Sequence, residues 1–188
     1  ILYMTNQELP LADPHFHILE MQKKELNIPQ CLDEAFEILD LGIDIATNEE
    51  GFDLRTSFDQ RYPNLYHTVG LSHYEAAREQ ASQNAGLEAV KRQASSSKVV
   101  AVGEIGLDYH HNAAPPSEQK KLFAKQLELA HSLDLPVVIH NRNADEDVYE
   151  ILESHDLRRR GIIHCFSSDR DTALRFYELG YLISFAGN

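Results

Sequence analysis

Short runs rich in β-branched and apolar residues alternate with longer stretches of helical patterning along the whole chain. The runs are LADPHFHIL (11–19), GIDIATN (42–48), LYHTVGLS (65–72), KVVAVGEIGL (98–107), PVVIH (136–140), GIIHCF (161–166) and GYLISFAG (180–187). Between them, 117–134 reads best as a helix: Leu122, Phe123, Leu127, Ala130 and Leu133 recur at helical spacing, Ser117 can cap, and Pro136 marks the end. Residues 171–179 form a second helix closed by Gly180, while 75–94 and 145–156 give two more. Strands alternating with helices imply βαβ units and a parallel sheet. Right-handed crossovers then leave two solutions, an open doubly wound sheet or a (β/α)8 barrel. No GxGxxG or GxxxxGKS/T loop follows the first run, which weighs against a nucleotide-binding open sheet. The two glycines of VGEIGLD lie inside or at the end of a strand and make no phosphate cradle. The Ser95–Ser97 and Ala113–Pro116 stretches are too short to be linkers, and there is no internal repeat, so one domain over 1–188 is expected.

Composition bounds the function classes. The formal net charge is −13, the opposite of a protein whose main task is gripping nucleic acid. Its basic clusters, Lys120–Lys121 and Arg158–Arg160, read as solvated helix faces or ends, so any phosphate chemistry belongs to a small local site. No apolar run approaches the roughly 20 residues of a membrane span. The opening ILYMTNQELP lacks the basic region of a signal peptide. The two cysteines, Cys31 and Cys165, lie far apart and outside any CxxC, which argues against a disulfide scaffold or a Cys-rich zinc site. A reducing cytoplasmic setting is expected, with no membrane and no obligate protein partner.

Five of the polar residues inside these runs form a pattern. His15 and His17 alternate in the first, where i and i+2 share a face of a strand. Taken alone, the pair is as well read as a buried histidine beside a chance neighbour. But Glu104 lies in the fourth run, His140 ends the fifth and His164 sits near the end of the sixth. A buried carboxylate or imidazole is expensive unless paired or bound to metal. In a parallel barrel the carboxyl ends of the strands are where functional groups converge. The donor set suits Zn²⁺, Mn²⁺ or Mg²⁺, and Glu104 can bridge two ions. His110 and His111 follow the fourth run and could touch substrate, and His73 could reach the rim. His67, His131 and His155 read as surface or packing residues.

The segments DPHFH, VGEIGLDYH, PVVIHNRNA, GIIHCFS and GYLISFAG, in this order and spacing, resemble the TatD family of metal-dependent hydrolases and deoxyribonucleases, among the amidohydrolase-like barrels. The resemblance implies a (β/α)8 barrel holding two divalent ions. His15, His17 and Glu104 would hold one; Glu104, His140 and His164 would hold the other. It implies hydrolysis of DNA phosphodiesters by a water bridging the two ions, with Glu104 at the catalytic centre. Arg142 is then a candidate phosphate clamp, Asp108, Tyr109 and His73 candidate substrate contacts, and Asp13 a residue that could orient a ligand. The alternatives are a hydrolase of small esters, amides or nucleotides on the same residues, or a non-catalytic scaffold. The sequence departs from the family pattern at Leu19, Ser72, Asn143 and Ser168, which puts substrate identity more in question than metal binding. Such barrels take about 250 residues, and the TDSPY-like segment of an eighth strand, which carries the family's proton-accepting Asp, is absent. The expectation is therefore a barrel lacking its eighth strand and last helices, either a truncated product or a short form completed by another chain. Such a chain should bind metal less tightly and hydrolyse little.

Overall fold

The computed structural model describes residues 10–186. The reading of the opening segment as no signal peptide, and the last residue of the seventh run, lie outside that range. Seven strands form one sheet in chain order: β1 (Ala12–Phe16), β2 (Leu41–Asp44), β3 (Leu65–Val69), β4 (Val99–Asp108), β5 (Val137–Arg142), β6 (Gly161–His164) and β7 (Leu182–Ile183). Each pairs in parallel with the next. In a flat sheet, five strand spacings of about 4.8 Å would separate β1 from β6 by about 24 Å. Yet the ring of His15, on β1, stacks on that of His164, on β6, with centroids 3.4 Å apart. The sheet therefore curls strongly, as the wall of a (β/α)8-type barrel does. Among the described residues no eighth strand closes it.

The outer layer comprises α1 (Ile18–Lys23), α2 (Ile28–Phe36), α3 (Phe52–Thr56), α4 (Gln80–Gln93), α5 (Pro116–Leu133), α6 (Asp145–Ser154) and α7 (Arg170–Glu178), with a 3-10 turn at His73–Ala77. Helix α5 buries Phe123, Leu127 and Ala130 against Val102, Ile105 and Leu107 of β4 and Val137 and Ile139 of β5. Ser117 does not cap it. Pro115 stands at the cap and Pro116 opens the first turn, where its missing N–H costs nothing. The expected helix 75–94 is split, because Arg78 and Glu79 are extended. The buried Gln83 amide makes the break tolerable by donating to the carbonyls of Ala76 (3.2 Å) and Arg78 (2.9 Å). Gly180 closes α7 as expected, with φ +89°. Helix α1 takes over the end of the first run, so β1 stops at Phe16 and His17 stands at the helix cap. No described helix is long and apolar enough to cross a membrane.

His67 is a packing residue of an unexpected kind. It is fully buried, with Nδ1 3.0 Å from Asp44 Oδ2 and Nε2 2.7 Å from Asp59 Oδ1. The same Asp44 oxygen accepts from Arg55 Nε at 2.5 Å, and its other oxygen takes the Ile18 N–H at 2.8 Å. This buried ion cluster ties β2, β3, α1 and α3 together.

Candidate metal centre

The five ligand-type residues converge on one side of the curl. His17 is held by its Nδ1, 3.0 Å from the carbonyl oxygen of Ile45. A carbonyl only accepts, so Nδ1 is the donor, which selects the tautomer whose lone pair lies on Nε2. That Nε2 faces His15 Nε2 at 3.2 Å, and His15 Nε2 lies 3.6 Å from Glu104 Oε2. One ligand-type atom from each of these three residues lies within 4.8 Å of the others. Two imidazole nitrogens and a carboxylate oxygen gathered this closely form a donor set that fits a divalent cation. On the other side, Glu104 Oε1 sits 2.8 Å from His140 Nδ1, so one carboxylate faces both groups of histidines.

Glu104 owes its position to an irregularity. The β4–β5 register shifts between Gly103 and Ile105, and the Glu104 N–H leaves that ladder to donate to Ala46 O at 2.7 Å. A bulge of this kind re-aims a side chain, here into the concave face. Close approach also shapes the next residue: Gly106 has φ +140°, and a Cβ there would lie 2.0 Å from the His140 carbonyl oxygen.

The electrostatics suit ligation. Burial raises the Glu104 pKa, but the His140 hydrogen bond and charge, with His15 and His164, overrule it and bring the carboxyl down to about 2. Burial lowers His15 to about 3, helped by the His164 and His17 rings and opposed by Glu104. Burial also lowers His164. For His140 burial is outweighed by the carboxylates of Glu104 and Asp108, and its pKa rises. Near neutral pH the centre therefore offers an ionised carboxylate and neutral imidazoles at His15 and His164.

The remaining candidates fall in several places. Arg142 is exposed at the end of β5 and, with His110 and Asn143, lines a cavity of about 530 Å³ that opens onto His17, Glu104, His140 and His164. Asp13 Oδ1 accepts from the backbone N–H of His15 at 3.0 Å, so it holds the strand and not a ring. The Tyr109 hydroxyl donates to Asp147 Oδ2 at 2.6 Å and is committed to α6. Asp108, expected at the rim, is fully buried, 2.9 Å from His140 Nε2. His73, also expected at the rim, is buried too, its ring centroid 4.8 Å from that of His140. Sequence reasoning missed a brace: Asp145 accepts from Asn141 Nδ2 at 2.6 Å and from the Ser168 hydroxyl at 2.7 Å. It fastens the end of β5 to the loop after β6. The one available signal was Asp145 itself, an acid in the first turn of a helix beside the motif.

The chain resembles known proteins in both sequence and fold. The model of the TatD-related DNase family matches residues 12–188. The metal-dependent hydrolase YabD of Bacillus subtilis is 31% identical over 183 residues, covering 94% of this chain and 69% of its own. YjjV of Escherichia coli, also named a metal-dependent hydrolase, is 37% identical over 148 residues, covering 76% of this chain and 54% of its own. The 3'-5' ssDNA/RNA exonuclease TatD of Escherichia fergusonii is 33% identical over 129 residues, covering 68% of this chain and 48% of its own. The chain thus spans between about half and about two thirds of these relatives. The crystal structure of Escherichia coli YjjV superposes with a TM-score of 0.77 at 30% identity, over 92% of this chain and 66% of that one. A TatD family hydrolase from Entamoeba histolytica gives 0.81 at 19% identity over 94% of this chain and 64% of that one, a likeness of fold. By sequence and by fold, this chain belongs to the TatD-related DNase family.

Proposed function

We propose that the chain carries the metal-binding body of a divalent-cation-dependent hydrolase that cleaves DNA phosphodiester bonds. The observation that carries this reading is the convergence of the His17 lone pair, His15 Nε2 and Glu104 Oε2 beside a cavity with Arg142 at its wall. His15, His17 and Glu104 would hold one cation; Glu104, His140 and His164 would hold a second. Zn²⁺, Mn²⁺ and Mg²⁺ all suit such nitrogen and oxygen donors. When bound, the ions supply Lewis acidity to the phosphate and lower the pKa of a water. The chain's own residues do the rest. The Ile45 carbonyl fixes the His17 ring. Glu104 stays ionised because His140 faces it. Arg142 offers a planar fork that matches phosphate oxygens. The relative named as a 3'-5' ssDNA/RNA exonuclease supports a nucleic-acid substrate.

One observation favours a second reading on the same residues. A net charge of −13 repels a long polyanion but little hinders a small ester or nucleotide. Purified protein, supplied in turn with Mg²⁺, Mn²⁺ and Zn²⁺, is assayed on single-stranded DNA, duplex DNA, bis(p-nitrophenyl) phosphate and p-nitrophenyl acetate. The nuclease reading expects nucleotide release from DNA, lowered by about 10²–10³-fold in Glu104→Gln. Turnover of the small esters with none of DNA would select the second reading.

A further inference from the structure

Asp108, His73 and His111 are left over from the site described above, and they are placed as ligands are. We propose that His73, Asp108 and His111 form a separate cation site behind His140, taking a borderline divalent ion of the Zn²⁺ or Co²⁺ kind. The inference goes beyond the proposed hydrolase and uses none of the residues assigned to its two ions.

Ligand-type atoms of these three side chains lie within 4.8 Å of one another. Asp108 is oriented for the task. Its Oδ1 accepts from the backbone N–H groups of His110 (2.9 Å) and His111 (2.8 Å), which leaves Oδ2 to face the side chains. Around Oδ2 stand three imidazole nitrogens: His111 Nδ1 at 2.8 Å, His140 Nε2 at 2.9 Å and His73 Nε2 at 3.7 Å. The last distance is too long for a hydrogen bond. It is close to the ~3.4 Å that separates two ligands of one tetrahedral ion at ordinary Zn–N and Zn–O lengths.

The independent observation is His73 itself. The ring is only 6% exposed, and neither nitrogen has a hydrogen-bond partner among the described residues. A buried imidazole with both nitrogens unpaired is costly, and native interiors rarely keep one without a reason. The Ser72 hydroxyl, also buried, is likewise unpartnered. Both line a recess of about 160 Å³ together with Asp108 and His111, and the recess reaches His140 and Glu104 of the larger centre. The His111 side chain is 45% exposed and gives a way in from solvent. The arrangement is that of an N,O,N site with an open position, the usual donor chemistry for a borderline cation. Asp108 also contacts His140, whose other nitrogen faces Glu104. A cation here would therefore fix the ring on which the larger centre leans.

The test is metal counting. Metal-free protein is loaded with Zn²⁺, desalted and measured by elemental analysis, and Co²⁺ loading is followed by visible absorption. The inference expects His111→Ala and His73→Gln each to hold one equivalent fewer than the parent and to lose part of the Co²⁺ spectrum. It expects the double variant His15→Ala/His17→Ala to keep that equivalent. Circular dichroism establishes that each variant is folded, and the half-exposed His111 is the change least able to disturb packing. Unchanged stoichiometry and spectrum in folded His111→Ala and His73→Gln overturn the inference. That result leaves the hydrolase reading standing if His15→Ala/His17→Ala still loses metal. Loss of metal in the first pair of variants alone would instead retain this site and remove the other.

Discussion

Protonation at the centre sets how the protein responds to acid. His15 is held near 3 and His73 near 4, against an ordinary value of 6.5. For both the first cause is burial of a ring that stays neutral. The unfolded chain therefore takes up these protons first, and the stability they contribute is full above about 6.5 and lost as pH falls. Glu104, near 2 against 4.5, contributes above 4.5 and loses that contribution toward 2. His140 has the opposite sign: its raised pKa stabilises below 6.5 and is lost as pH rises through the folded value. The metal-free protein should thus melt at progressively lower temperature from pH 6.5 down to 4. A melting temperature that climbs over that interval in a circular dichroism series would contradict the neutral His15 and His73. Protons also compete with cations for the same nitrogens, so metal content should fall over the same range. At the other buried cluster, Asp44→Ala leaves Arg55 and His67 facing each other without their shared carboxylate. The cost should be about 3–5 kcal/mol, read by denaturant unfolding.

At the scale of elements, the contact between β4 and β5 is the most exacting part of the wall. Gly106→Ala must place a methyl 2.0 Å from the His140 carbonyl oxygen while holding φ at +140°. The backbone conformation alone should cost about 1–3 kcal/mol. Because β5 must then move, metal content should drop together with the melting temperature. A Gly106→Ala protein with parental melting and metal content would show that the strands have slack. Much of this architecture was legible beforehand. The runs around 99–107, 137–140 and 161–164 announced themselves because β-branched residues filled them, and α5 because Leu122, Phe123, Leu127 and Ala130 keep helical spacing through eighteen residues. Helices α1, α2 and α3 were not, since segments of five to nine residues depend on packing for their stability and these three, unlike the equally short α7 with its Gly180, have no glycine stop to mark them. For α2 the sequence did carry a sign, with Asn27 capping and Pro29 at the start. At the site, His15, His17, Glu104, His140 and His164 stood out as costly polar groups in apolar strands. The depth of Asp108 and His73 did not, because it depends on the 3-10 turn and on how the loop after β4 folds back.

For the whole molecule, charge gives the sharpest contrast with basic nucleic-acid binders. A basic binder that neutralises several phosphates loses orders of magnitude in affinity as salt rises. Here the field of an acidic protein repels the strand, and salt screens that repulsion over about 10 Å at 0.1 M. Raising potassium chloride from about 20 to 150 mM should therefore lower the KM for DNA or leave it within about twofold. A steep rise in KM, measured at fixed divalent metal, would point to a local basic track that grips the phosphates. The curl that brings His15 onto His164 has a consequence in time as well as in space. Those two residues are 149 positions apart in the chain. At roughly 5–20 residues per second, a ribosome needs about 7–30 s between delivering the first and the second. For the first part of that interval His15 and His17 stand without Glu104, and for the rest with Glu104 but without β6. Contacts of such long sequence separation are also slow to form once the chain is complete. Under the proposed assignment the His15–His17–Glu104 set can assemble only after Glu104 is delivered and the second set only after His164, so the nascent chain passes those seconds as an open, weak chelator before it becomes a site.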